Sequence, residues 1–325
     1  MQQNKQPKVS VIIATYNRAP SLLRSVQSVL HQTYQNMEII IVDDGSTDHT
    51  QEIVTNINDA RVKYVRNEKN KGAAAARNTG ICLATGKYIA FQDDDDEWLP
   101  EKLQIQIDVL EQSSSRVDIV YSDMWKVRQG QRTYFHSPRF TPSDGIIYKQ
   151  ALADGVGYIG LVTVVLRKEC FDKAGLFDEN LSSLIDYELF IRLSKDYYFH
   201  HIDEPLAIYY ATQGSITANL AKVVQARRYI MNKYLSDLVK DKKLLAKHWM
   251  LLGRSCCDSG STRNGFECLL KGIYYSCFRL SYVVYFVWRL FLAAAQLLTG
   301  ENAKRIRSKM KLRYYASKYS KKKVL

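Results

Sequence analysis

The chain lacks the marks of several protein classes. Its six cysteines (Cys82, Cys170, Cys256, Cys257, Cys268 and Cys277) form no Cys-x-x-Cys pair and have no histidine at metal-ligand spacing. That pattern argues against a disulfide framework or a zinc knuckle and for reduced core thiols in a reducing compartment. Met1 to Lys8 is polar, without the apolar core of a secretion signal, so the globular part is expected in the cytoplasm. Low-complexity sequence is missing as well, and 325 residues with 46% hydrophobic content imply one large domain plus an appendage. Acid is short: the net charge is +13, but residues 301–325 carry ten basic residues and one acid, leaving +4 for the preceding 300. The bases sit beside an apolar stretch and are not interleaved with stacking aromatics, so no nucleic-acid partner is expected.

What is present begins with strands. Val9 to Ala14 and Ile39 to Val42 are continuous apolar, β-branched runs, as in strands buried on both faces. Ser21 is a plausible N-cap for a helix through His31, with Leu22, Val26, Val29 and Leu30 at helical spacing. His49 to Asn56 and Ala73 to Leu83 read as helices, and Val62 to Val65 and Tyr88 to Phe91 as strands. This alternation predicts an α/β fold with a parallel, Rossmann-like sheet, in which ligands bind outside the carboxyl ends of strands. Thr15 to Arg18, Asp43 with Asp44, and Asp93 to Asp96 all fall at such ends, which makes them one candidate site.

The third cluster is the most telling. Four consecutive carboxylates, followed by Glu97, repel one another and are costly to desolvate. Held at a strand end they suit a hard divalent ion, Mn2+ or Mg2+, that also binds substrate phosphates. A solvated acidic loop is the alternative.

Together, Val9 to Arg18, Ile41 to Asp48, Asn70-Lys71-Gly72 with Ala76 to Gly80, and Asp93 to Asp96 resemble the family 2 glycosyltransferases of the GT-A fold, over residues 8 to 217. The resemblance implies a GT-A fold with a mostly parallel mixed sheet. It places Thr15, Tyr16, Asn17, Arg18, Asp43, Asp44, Gly72, Arg77, Asp93 and Asp94 around a nucleotide-sugar, with Asp44 on the base. Asp44 as a helix N-cap is the plainer alternative. The small-residue helix start after Gly72 lets phosphates approach backbone N–H groups. The family's Asp-x-Asp aligns with Asp93-Asp94-Asp95, which implies Asp95 as metal ligand and Asp93 on ribose or on the metal; Asp94 departs from the usual neutral residue. Asp186 aligns with the catalytic base of an inverting transfer, although Ile185 replaces the acid often found before it. Thr212 and Gln213 stand where members often carry a cation near the diphosphate. Donor selection is expected from loops such as Ser122 to Pro142 and Gly155 to Gly160.

Beyond Ala218 the pattern is helical. Val223 to Leu238, Leu244 to Cys257 and Gly265 to Ser276 read as helices, and Ile273 to Leu298 is a greasy run broken by Arg279 and Arg289. Its part from Leu280 to Leu298 is long enough to span a bilayer. Arg289 near the midplane would then cost about 2.5–3.5 kcal/mol. Lys271, Arg289 and Gln296 fall within about 20° of one another on a continuous helix, a stripe that suits a helix lying in a membrane interface, followed by the basic tail. A spanning helix and an oligomer-interface or core helix are the alternatives.

The expected divisions are 1–217 for the transferase domain, 218–270 for a helical extension, and 271–325 for an amphipathic membrane-associating helix and basic tail. The expected enzyme transfers a hexose or N-acetylhexosamine from a nucleotide-sugar, a UDP-sugar by preference, to a saccharide or lipid-linked acceptor in bacterial surface polysaccharide synthesis. It would be peripheral on the cytoplasmic face of the plasma membrane, against anionic lipid, with a homo-oligomer possible. A nucleotidyltransferase is the rival enzyme, disfavoured because Thr15 to Arg18 is not a Gly-rich, Lys-bearing loop. A nucleotide-binding scaffold with a dead site is disfavoured by the joint presence of Asp44, Asp95 and Asp186.

Overall fold

A computed structural model describes residues 7–113, 116–137, 147–153, 159–211 and 219–299, with the backbone alone over 293–299. Thr212, Gln213, the basic tail, and residues 138–142 and 155–158 of the two loops expected to select the donor lie outside the described residues. The chain divides into two compact units, Met1–Lys233 and Tyr234–Leu325.

The first unit is built on one mixed sheet. Strands β1 (Val9–Thr15), β2 (Met37–Asp43), β3 (Val62–Arg66) and β4 (Tyr88–Asp93) run parallel in the order β3-β2-β1-β4. The apolar runs at β1, β2 and β4 are buried on both faces, as their composition requires. Helices α1 (Ala19–Leu30), α2 (Thr50–Thr55) and α3 (Ala73–Leu83) are the connections. Leu22, Val26 and Val29 of α1 enter the main core. Two-residue β5 (Glu97–Trp98) precedes α4 (Lys102–Gln112).

The sheet then continues through a seam. The short β8 (Val165–Arg167) lies antiparallel between β4 and β6 (Ile119–Arg128), and β9 (Phe199–Tyr210) runs parallel to β6 and antiparallel to β5. Hairpin strand β7 (Gln131–Phe135) extends β6. Short helices α5 (Tyr148–Leu152) and α6 (Cys170–Ala174) and the longer α7 (Ile185–Leu193) cover this half. The strand expected over Val162 to Leu166 is instead a 3-10 turn, Leu161–Thr163, followed by β8.

Helix α8 (Leu220–Lys233) belongs to the first unit, so the division falls after 233 and not after 217. Charge explains why. Lys233 Nζ lies 2.6 Å from Asp178 and 2.8 Å from Glu188, and Tyr229 donates to Asp178 at 2.9 Å. Glu188, wholly buried in α7, is also paired with Arg192 at 2.9 Å. Burial raises the Asp178 carboxyl, but its bonds to Lys233, Tyr229 and Asn180 outweigh this and hold it at about 2. A value below that of the unfolded chain stabilises the fold fully above about pH 4, and the contribution fades as pH falls toward about 2. Asp178→Asn is therefore expected to lower the unfolding free energy by about 2 kcal/mol at neutral pH. In urea titrations across pH, the gap between variant and parent should narrow as acid is added; a constant gap would remove the ionic origin.

In the second unit, the expected Val223 to Leu238 helix is found to break at Tyr234, which caps the one-turn α9 (Leu235–Leu238). Helices α10 (Lys242–Asp258) and α11 (Thr262–Tyr275) pack as a hairpin, close enough that a Cβ on Gly265 would meet Cys257 Sγ at 2.2 Å. The greasy run does not continue as one helix. Cys277 and Phe278 take left-handed φ of 53° and 59°, ending α11 before α12 (Leu280–Thr299) begins. Lys271 and Arg289 are therefore on different helices, and the expected common polar stripe does not exist. Arg289 turns inward, 8% exposed, to Asp258 at 2.8 Å. Among the described residues no helix is long and apolar enough to cross a membrane. None of the six cysteines is in a disulfide.

Candidate active site

Strand register brings the three polar clusters together. Thr15 pairs with Asp43 and Ala14 with Asp93, so β1, β2 and β4 stop abreast at one edge of the sheet. The loop after β1 is stitched to the loop after β2. Asn17, at φ 52°, accepts the Thr47 N–H at 2.7 Å, and its own N–H donates to Ser46 at 2.9 Å. Asp48 accepts the Ala19 N–H at 3.0 Å and the Thr50 hydroxyl at 2.6 Å, so α1 starts at Ala19 and the expected Ser21 cap is displaced by a distant aspartate. Tyr16 stands exposed on the stitched loop.

Asp43 and Asp44 do different work from each other. Asp43 is wholly buried, accepting the Ser46 N–H at 2.8 Å and the Tyr64 hydroxyl at 2.6 Å. It shapes the turn, with both of its oxygens taken up by these bonds. Asp44 is not the cap of α2. It accepts Asn67 at 2.8 Å and the N–H groups of Lys71 and Gly72 at 3.0 and 2.7 Å, which fixes the loop leading to α3. Gly72 sits at φ 95° with open space where a Cβ would be, so it is the backbone conformation that calls for glycine. The first turn of α3 has no side-chain cap and no acid.

The acidic turn after β4 is ringed by arginines. Arg77 from α3 reaches Asp93 at 2.7 Å, and Arg18 reaches Asp95 at 3.1 Å. From α1, Arg24 donates to the Asp95 carbonyl at 2.7 Å and Ser25 to the Asp93 carbonyl at 2.8 Å. Arg24 also pairs with Glu97 at 2.9 Å and lies 4.1 Å from the Tyr210 ring, while Tyr210 donates its hydroxyl to Glu97 and its N–H to Asp96, both at 2.8 Å. Nothing in the sequence marks Arg24 and Ser25, which read as ordinary polar positions of an amphipathic helix.

Even so, the cluster holds unmet negative potential. Burial pushes the Asp94 carboxyl up to about 7, with the nearby Thr15 hydroxyl and Arg18 opposing and Asp95 and Asp93 reinforcing. Burial and then Asp93 push Asp96 well above the usual carboxylate range. Asp96 Oδ2 and Thr15 Oγ1 are buried without hydrogen-bond partners among the described residues. Carboxylate oxygens are hard donors of the kind a divalent cation takes.

Asp186 lies in the first turn of α7, whose cap is Leu184 at φ 57°, so it is not a capping aspartate. One oxygen accepts the Tyr187 N–H at 2.8 Å. Burial raises its carboxyl, Tyr187 N–H and Arg77 lower it, and Asp93 raises it again. Asp186 is thus in the electrostatic field of the Arg77–Asp93 pair.

A second cluster was not visible in sequence. Asp123, His136 and Asp203 bring ligand atoms within 4.8 Å of one another. Asp123 is buried at a register shift between β6 and β9, accepting the Ser137 N–H at 2.8 Å and Tyr134 at 3.0 Å, with His201 at 2.7 Å. His201, nearly buried beside it, is held by this bond.

Residues 10–175 match the family described as Glycosyl transferase family 2. The chain is 35% identical over 216 residues to the putative colanic acid biosynthesis glycosyl transferase WcaA of Escherichia coli K12, covering 64% of this chain and 71% of that protein. It is 31% identical to the Escherichia coli UDP-Glc:alpha-D-GlcNAc-diphosphoundecaprenol beta-1,3-glucosyltransferase WfgD, covering 70% and 87%. A crystal structure of Staphylococcus aureus TarS 1-349 with UDP-GlcNAc superposes with a TM-score of 0.62 at 22% identity, covering 82% and 81%; that likeness speaks to the fold.

Proposed function

The chain belongs to glycosyl transferase family 2 and has the GT-A fold, and from that premise we propose an inverting, metal-dependent transfer of a hexose from a UDP-sugar to a lipid-linked saccharide at the cytoplasmic membrane face. It is a glycosyltransferase of the bacterial polysaccharide type. The observation that carries the finer reading is the Arg77–Asp93 pair, 2.7 Å apart at the strand ends, with the charges of both acting on the Asp186 carboxyl.

In this reading Asp44 and Tyr16 border the base, and the uncapped start of α3 with Arg77 faces the diphosphate. Asp95 and Asp93 would hold Mn2+ or Mg2+, which would supply charge neutralisation for the departing diphosphate. Asp186 takes the proton of the acceptor hydroxyl as its oxygen bonds to the anomeric carbon and the bond from that carbon to the diphosphate oxygen breaks. Attack opposite the leaving group inverts the anomeric centre. WfgD's name specifies a UDP-glucose donor and a diphosphoundecaprenol-linked acceptor, which supports the choice of donor and acceptor class.

The test offers UDP-glucose and UDP-GlcNAc, each labelled in the sugar or in the uridine, with Mn2+ and a lipid-linked GlcNAc acceptor. Sugar label in the lipid product is expected. Uridine label there would mean nucleotidyl transfer instead.

A further inference from the structure

The inward turn of Arg289 leaves α12 with an outer face that has nothing polar on it. Leu280, Val284, Val287 and Phe291 are 75%, 57%, 57% and 63% exposed, and steps of four, three and four residues place them on one side of the helix. Val283 and Trp288 join Val284, Val287 and Phe291 in a shallow apolar groove along the same side. The helix is held from its other side, where Tyr282, Tyr285 and Phe286 pack on Met250, Cys257 and Leu269. Its one internal charge is spent on Asp258. Phe278 and Arg279, both exposed, flank its start.

We infer that this row of Leu280, Val284, Val287 and Phe291 rests in the interface of an anionic lipid bilayer. The choice of lipid over a second copy of the chain rests on charge. Residues 301–325, directly after α12, carry ten bases and one acid. Self-association through α12 would bring two such segments together, whereas anionic headgroups attract them. An in-plane helix with an apolar outer face and adjoining bases is the combination that partitions into acidic membranes. The inference rests on the proposed lipid-linked acceptor only for its purpose; the surface is read from the helix itself.

The experiment uses the full chain in co-sedimentation with vesicles of phosphatidylcholine, with and without phosphatidylglycerol. The parent is expected to bind only the anionic vesicles. The double variant Val284→Glu/Val287→Glu should lose at least about tenfold in partition coefficient. Both side chains are more than half exposed, so its circular dichroism and thermal unfolding should match the parent's. Equal binding by variant and parent, or no binding by the parent, overturns the inference. So does a variant that changes only from dimer to monomer in light scattering, which would assign the face to a second copy. Transfer to a water-soluble saccharide acceptor is measured in parallel. Vesicle binding without any transfer would sink the enzymatic reading and leave the lipid surface standing; transfer without vesicle binding does the reverse.

Discussion

Asp186→Asn is expected to fold, to bind donor as the parent does, and to lose about 10²–10⁴ in kcat. The amide keeps the size of the carboxylate and can still accept the Tyr187 N–H through its oxygen. It cannot take a proton at the acceptor oxygen. Donor affinity depends on other groups, namely the α3 start, Arg77 and the acids of β4, so the KM for donor should stay within a few-fold. The pH profile adds a second readout. A base must be ionised to act, and burial shifts the Asp186 carboxyl upward. Activity of the parent should therefore fall on the acid side at a pH above the ordinary aspartate range, and the residual activity of the variant should lack that limb. Unchanged turnover in the variant would take Asp186 out of the chemistry.

Asp95→Ala is expected to weaken Mn2+-dependent donor binding on the order of 100-fold, about 2.7 kcal/mol, in titration calorimetry. Chelation of the parent should do the same. The folded state itself should hardly notice, because the Arg18–Asp95 pair is partly solvated and such pairs contribute about 0–1 kcal/mol. Loss of donor binding together with stability would point to a structural defect. If binding stays linked to Mn2+ after Asp95 is removed, Asp93 becomes the direct ligand, and the Asp95 assignment falls.

The parts that were legible in the sequence are those set by local pattern. Val9 to Ala14 and Ile39 to Val42 could be read as doubly buried strands because every position is apolar or small. Asp93 to Asp96 followed such a run, so their place at a sheet edge came with the strand. Asp186 was found through its motif, and it stands in the first turn of α7. The misses involve partners distant in sequence. Nothing near Asp44 says that it will bind the N–H groups of Lys71 and Gly72, nor near Asp48 that it will cap the helix at Ala19. Arg289 was assigned to water because helical projection assumed an unbroken helix. The break at Cys277 and Phe278 uses residues that carry no turn signal, and Asp258, 31 positions away, supplies the counter-charge. Lys233 likewise drew α8 into the first unit through acids that are remote in the chain.

Leu184 holds the last consequence. A leucine at φ 57° keeps a left-handed backbone one residue before α7, a state that costs roughly 1–2 kcal/mol outside glycine. The same bend sets the direction in which the first turn of α7 leaves the chain, and with it the aim of Asp186. Selection for thermal robustness alone would push this position toward glycine, which relaxes the bend and loosens the aim. If Asp186 is the base of the proposed transfer, heat tolerance and turnover are set against each other at Leu184. Variants chosen only for resistance to heating will be informative in proportion to how they treat it.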